Sequence, residues 1–236
     1  EKGDSRTKND GAWMNFPSAS LFSSVASAAM SDFFKIVGCE SSTNAYSVKG
    51  STPFVDALFA TRYGIYPDQQ PADGMKEQIG RHGSMWLYEN KYTLPVGFIL
   101  PNDVEDNWIL DSGNPAEVQN DLSSVLGVRD MLIPVEGVSD GKKLTFTADD
   151  SGDYYVYVTN KKVEKVSAMI GEHSLTFDNV DRGYFLELGY VLQDQEVILQ
   201  AEDEGKPAMQ AEIWRFDPEG LNQVYDRLNQ SPLELT

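Results

Sequence analysis

The chain has 236 residues, 41% of them hydrophobic, and its 19 Lys and Arg against 37 Asp and Glu leave a formal net charge of −18. That length buries a core large enough for one large domain or two small ones, and the negative charge repels polyanions, which excludes nucleic acid as a partner. The one cysteine, Cys39, excludes an internal disulfide and any thiolate metal set; so sparse a thiol content fits a cytosolic protein and equally a chain exported by a Gram-positive cell.

In chain order, Ser24 to Val37 places Val25, Ala29, Phe33, Ile36 and Val37 on one helical face, with Gly38 as a stop. Thr52 and Pro53 open a second helix whose Val55, Leu58 and Phe59 share a face, running to about Arg62. The Pro- and Gly-rich stretch from Tyr66 to Ser84 reads as a long exposed excursion, and short strands follow at Trp86-Leu87-Tyr88 and Val96 to Leu100. A third helix opens at Asn114-Pro115, with Glu117 in the capping-box position, and stacks Val118, Leu122, Val125 and Leu126 before Gly127.

From about Leu144 the period shifts to alternation, as in Leu144-Thr145-Phe146-Thr147 and Tyr155-Val156-Tyr157-Val158. Seven strands are predicted: Lys143–Ala148, Asp153–Thr159, Lys165–Ile170, Ser174–Phe177, Gly183–Leu188, Glu196–Ala201 and Ala208–Phe216. Asp217 caps a last helix with Pro218 at its first position and a stripe of Leu221, Val224, Tyr225 and Leu228, and Ser231 to Thr236 resembles the start of a further strand. The expected fold class is therefore α+β: an N-terminal mixed α/β lobe, residues 1–137, packed with a C-terminal antiparallel β-sandwich, residues 138–236, that ends in a helix.

Catalytic motifs are missing from the sequence. His82 and His173 stand apart in turns, no Gly-x-Ser-x-Gly, Gly-x-Gly-x-x-Gly or Walker loop occurs, and the acidic groups at Asp103 to Asp106 and Asp149 to Asp153 lack EF-hand spacing. No catalytic residue, metal or cofactor is assigned. The run Ser18 to Ser24 offers hydroxyls at a helix start, where capping is the ordinary use. Trp13, Trp86 and Trp108 could stack on sugars, although core packing is the commoner use of such rings, and Phe33, Phe54, Phe59 and Leu122 read as core.

Five segments carry a resemblance: Lys8-Asn9-Asp10-Gly11, Phe16 to Ser24, Asp32 to Gly38, Gly50 to Leu58 and Leu87 to Phe98. In this order they resemble the large extracytoplasmic region of the YfhO family, bacterial multi-pass membrane proteins similar to C-type glycosyltransferases. The resemblance, strongest over residues 6–100, implies a parent protein on the outer face of the membrane that moves sugar from a polyprenyl phosphate carrier onto a cell-wall polymer such as lipoteichoic acid. It also implies that the catalytic carboxylate lies between membrane helices outside this chain, and that the region continues past Leu233-Glu234-Leu235. The stretches Pro67 to Ser84 and Asp103 to Asp111 have no counterpart in that pattern.

The leading expectation is thus a non-catalytic extracytoplasmic domain whose partners are the membrane-embedded part of the same polypeptide and a glycan or wall-polymer acceptor. Asn9, Asp10, Ser23, Ser24, Glu89 and Asn90 are the candidate contacts, because short polar groups beside aromatics suit sugar hydroxyls. The alternative is a free-standing carbohydrate- or protein-binding module that uses Tyr154, Tyr155, Tyr157 or Tyr184; a soluble hydrolase has no supporting motif.

Overall fold

A computed structural model describes residues 7–71, 74–205 and 207–230. The N-terminal part runs α1 (Asp10–Met14), β1 (Leu21–Phe22), α2 (Ala28–Ile36), β2 (Ser41–Ser42), β3 (Ala45–Tyr46), α3 (Pro53–Leu58), β4 (Tyr63–Tyr66), β5 (Lys76–His82), β6 (Met85–Asn90), α4 (Asn102–Asn107) and α5 (Pro115–Val125). There follow β7 (Leu132–Val135), β8 (Val138–Ser139), β9 (Lys143–Thr147), β10 (Gly152–Val158), β11 (Lys165–Ile170), β12 (His173–Asp178), β13 (Leu186–Val191), β14 (Glu196–Ala201), β15 (Ala211–Phe216) and α6 (Pro218–Leu228). Two small sheets, β1-β3-β2 and β4-β6-β5, accompany the helices; the sandwich is a four-stranded sheet β13-β10-β15-β7 facing a five-stranded sheet β12-β11-β14-β9-β8, every pairing antiparallel. The fold is α+β, as the change of period implies.

Strand β10 explains the layering. Its run Tyr154-Tyr155-Val156-Tyr157-Val158 is apolar at every position, as a strand covered on both faces requires. Tyr154, Val156 and Val158 point into the core between the two sheets, with Phe146, Leu186, Val197 and Leu199. Tyr155 and Tyr157 point the other way, into a second core built with Phe34, Phe54, Leu122 and Phe185. The four-stranded sheet is thus the middle layer, with the helical part on one side and the five-stranded sheet on the other. Helix α6 returns to the helical side: its stripe of Leu221, Val224 and Leu228 is buried in the second core.

Local chemistry sets the helix ends. Thr52 accepts from the Val55 amide, Asn114 from Ala116 and Asp217 from Glu219, each followed by Pro at the first helical position. Asn120 on α5 then binds the start of β7 like a strand edge: its Oδ1 accepts from Met131 N (3.1 Å) and Leu132 N (2.9 Å), and its Nδ2 donates to Leu132 O (2.7 Å). Gln119, fully buried, donates to Val37 O (2.9 Å) and accepts from Thr52 Oγ1 (2.7 Å), linking three helices.

Gly38 locks the helical part to the sandwich. It follows α2 at φ +93°, its carbonyl accepts from Phe185 N (2.8 Å), and a Cβ there would stand 2.4 Å from the Phe185 ring. Gly50 makes the same approach, with a Cβ position 2.7 Å from Phe185 O. The Phe185 ring, fully buried, sits edge-on to Tyr155 and Tyr157 at centroid distances of 5.7 and 6.1 Å.

Several expectations need correction. Helix α2 starts at Ala28, because Ser27 caps it, so Val25 precedes it and is 87% exposed; Ala29 is exposed too, Phe33 packs half-buried against Phe59 and Trp108 as expected, and Ser31, Phe34 and Val37 are the buried positions. The second helix ends at Leu58, four residues early, where Ala60 turns to positive φ. The Tyr66 to Ser84 excursion contains β5, hairpinned to β6 through Gly83 at φ +58°; β5 is polar on both faces and carries a register shift at Gln78/Gly80, which hid its alternation. Val96 to Leu100 is irregular, with Val96 and Ile99 exposed, and the acidic stretch beyond it forms the short helix α4. The strand at Gly183 begins at Leu186 instead, because a 3-10 turn at Val180–Arg182 and Gly183 at φ +76° hold residues 183–185 off the ladder for the contact with Gly38. The further strand expected from Ser231 lies outside the described residues. No described helix is long and apolar enough to cross a membrane.

Candidate functional site

A cleft of about 1050 Å³ opens where the N-terminal part meets the sandwich. Lys8, Glu40 and Lys49 line it from one side, the β4–β5 connection contributes Pro67 to Pro71, and Tyr184, Glu187 and Tyr190 line it from the other. Glu40 in its wall is only 7% exposed. Lys8 Nζ donates to Glu40 Oε2 (2.8 Å) and to Ser47 Oγ (3.3 Å), and Arg182 donates to Glu40 Oε1 (3.1 Å) across 142 residues of sequence. Lys49 lies over the face of the Tyr184 ring, 4.5 Å from its centroid.

Three cations therefore converge on one buried carboxylate. Burial by itself would raise the Glu40 carboxyl, but the Lys8 hydrogen bond and the charges of Lys8, Lys49 and Arg182 outweigh it and hold it below its ordinary value of 4.5. Lys49 is lowered from 10.5, first by burial and further by Lys8 and Arg182, although Glu40 and Asp178 pull it up. Burial, then Glu40 and Asp178, push the Tyr184 phenol up, so it stays neutral and donates to Asp178 O (2.8 Å). The cations Lys8 and Lys49 share the cleft wall with the carboxylates Asp10, Glu40, Asp68 and Glu187, beside aromatic rings and serine hydroxyls. Such a wall offers hydrogen-bonding groups and ring faces to a polar chain of sugar-like units.

The six candidate contacts fall into two groups. Asp10, 4% exposed, lines the cleft and accepts from Thr7 N (3.0 Å) and Thr7 Oγ1 (2.9 Å). Asn9 clamps the Phe22 backbone, donating to its carbonyl (2.9 Å) and accepting from its amide (2.7 Å). Ser23 Oγ accepts from Val25 N (3.2 Å), and Ser24 is exposed beside it. Glu89 pairs with Arg62 (2.7 Å), and Asn90 donates to Thr61 O (2.7 Å) and lines a separate cavity of about 20 Å³, room for about one water. Glu40, Lys49 and Arg182 escaped the sequence reading; the only local signal was a charged Glu40 next to Cys39, between the α2 stop and a serine pair.

The tyrosine surface proposed for a binding module is closed: Tyr154, Tyr155 and Tyr184 are at most 1% exposed and Tyr157 is 8% exposed. Tyr154 instead donates to Asp149 Oδ1 (2.7 Å), which also receives Arg215 (3.0 Å). The two histidines are exposed at hairpin ends, and the described residues hold no group of three or more His, Cys, Asp or Glu arranged for a metal ion. Of the tryptophans, Trp108 packs as expected, donating to Val118 O (2.8 Å), whereas Trp13 is 71% exposed.

Among solved structures, an exo-β-1,3-galactanase from Phanerochaete chrysosporium, with galactose, is similar at 14% identity and a TM-score of 0.25, over 36% of this chain and 25% of that one. DesR, a β-glucosidase from Streptomyces venezuelae in complex with D-glucose, is similar at 16% identity and a TM-score of 0.19, over 40% of this chain and 12% of that one. The chain thus spans a quarter or less of those enzymes, and at these TM-scores neither likeness bears on its fold or activity. No curated protein matches in sequence. The family described as bacterial membrane protein YfhO matches residues 1–133. That is more than half of the chain, from α1 and the wall of the cleft through α5 to the start of β7, and the chain belongs to the YfhO family of bacterial membrane proteins.

Proposed function

We propose that this chain is the acceptor-holding, non-catalytic extracytoplasmic domain of a multi-pass membrane protein, and that the parent transfers sugar from a polyprenyl phosphate carrier onto a cell-wall polymer such as lipoteichoic acid. The observation that carries this reading is the open cleft lined by Lys8, Lys49 and Glu40, with Arg182 reaching Glu40 from the sandwich. A long polymer needs an open groove, and Lys8 and Lys49, set among the groove's carboxylates, are the groups that can meet a phosphate of the polymer at one point while the polar wall meets its sugar hydroxyls. Family membership supports the membrane setting. Of the six candidate contacts, Asp10 keeps its place at the cleft wall, and the cations take over as the principal contacts.

Titration calorimetry with deacylated lipoteichoic acid tests the site. Lys49→Met keeps the stem over Tyr184 while removing the charge, and it should weaken binding about tenfold, as loss of one charge-assisted contact implies. Affinity should fall with added salt. Equal affinity in wild type and Lys49→Met would refute the assignment of the cleft.

A further inference from the structure

The segment Gly11 to Ser31 contains no Asp, Glu, Lys or Arg; at the chain-wide charged fraction of 24% a stretch this long would hold about five. It is the longest uncharged run in the chain, and it lies on the surface. Trp13 is 71% exposed, Met14 57%, Phe22 58%, Val25 87% and Met30 39%. A buried segment would be free of charge as a matter of course; an exposed one in so acidic a protein needs another cause.

Hydrogen bonds fold this segment onto itself. Asn9 holds the Phe22 backbone from both sides (2.9 and 2.7 Å), and Trp13 stands one helical turn above Asn9, its amide donating to Asn9 O (3.0 Å). Beyond β1, the Ser23 hydroxyl and carbonyl accept from Val25 N and Ala26 N, and Ser27 accepts from Met30 N. Each exposed apolar side chain is therefore within a few residues of a fixed anchor. Leu21 is half-buried beside Tyr46, and Phe22, alternating with it, turns outward.

We propose that the patch formed by α1, β1 and the first turn of α2, ahead of Asp32 and Lys35, docks on the headgroup and acyl boundary of a phospholipid bilayer. Trp, Phe and Met on a segment free of charge are the chemistry that partitions there, because amphipathic rings tolerate the wet side while their apolar bodies leave water. Membership in a membrane-protein family supplies the surface. A second set of exposed apolar residues, Val96, Ile99, Leu100, Ile109 and Leu110, flanks the acidic helix α4 with Glu105 and Asp106 in sequence, and the cost of desolvating those carboxylates keeps it off lipid. The docking would set the orientation of the cleft relative to the membrane, but it rests on the patch and the family alone, independent of the polymer assignment.

Flotation of the 236-residue chain with phosphatidylcholine vesicles tests it. Wild type should partition to the vesicles, and the combined variant Trp13→Ser, Phe22→Ser, Val25→Ser should lose at least tenfold in partitioning with an unchanged thermal midpoint, since all three side chains are exposed. Lipids brominated near the headgroup should quench wild-type tryptophan emission and leave Trp13→Phe unquenched. Ile99→Ser with Ile109→Ser should partition like wild type. Failure of wild type to float, or equal flotation by the triple variant, overturns the proposal. So does a vesicle-independent dimer, seen in sedimentation velocity and abolished by the triple variant, which would make a second copy the occupant.

Discussion

Replacing Gly38 by alanine should destabilise the whole fold through backbone strain and a clash with the Phe185 ring. The residue sits at φ +93°, a region that costs a side chain about 1–2 kcal/mol. Its new Cβ would fall 2.4 and 2.7 Å from two carbons of the Phe185 ring, which is itself held between Gly38, Tyr155 and Tyr157, so overpacking adds about 1–3 kcal/mol. The smaller entropy of the unfolded alanine chain returns about 0.4–1 kcal/mol, leaving a net loss of about 1–5 kcal/mol. The two contributions separate in a double-mutant cycle measured by urea unfolding. Phe185→Leu removes the ring edge, so the double variant should be more stable than the sum of the single losses by about 1 kcal/mol or more, while the φ strain persists. Additive losses within about 0.5 kcal/mol would show that the ring is not what excludes a side chain at position 38.

Other consequences follow from the same geometry. Asn120→Ala removes three hydrogen bonds to Met131 and Leu132 at the junction of α5 with β7 and should cost about 2–3 kcal/mol in urea unfolding. Tyr154→Phe takes a donor from Asp149 but leaves Arg215 in place, so the loss should be about 1 kcal/mol, and a loss near zero would mean that the phenol contributes only packing. Because the folded-state value of Glu40 lies below 4.5, its ionic contribution is fully present above that pH and is lost as pH falls through the folded value. The stability gap between wild type and Glu40→Gln should therefore be widest near neutrality and close in acid; a gap unchanged down to pH 3 would contradict the ion-pair cluster.

Much of the sandwich was legible because its strands carry the period-2 signal in their own residues. Leu144 to Thr147 alternates, and Tyr154 to Val158 is apolar throughout because both faces of β10 are covered. Helix α5 declared itself through Asn114, Pro115 and Gly127. The failures were of two kinds. Val96 to Leu100 is apolar like a strand yet contributes exposed side chains, and β5 is a strand without apolar alternation, since it forms the solvated edge of its sheet. In both, tertiary position overrode local pattern. The cleft was hidden for a different reason. Arg182 meets Glu40 only after the sandwich folds back on α2, and Lys8 stood beside Asn9 and Asp10 without a local reason to prefer it. Charge spacing along a sequence says nothing of cations gathered from three separate segments.

The most direct test of the account is sugar transfer by the purified 236-residue chain. It would be incubated with a polyprenyl-phosphate-linked radiolabelled sugar and saturating lipoteichoic acid, and label in the polymer followed with time. The proposed function predicts that the chain holds the polymer and that no label enters it, since the proposal assigns the transferring carboxylate to the membrane-embedded part of the parent protein. Label accumulating in proportion to chain concentration would contradict that division of labour and place the chemistry in this domain.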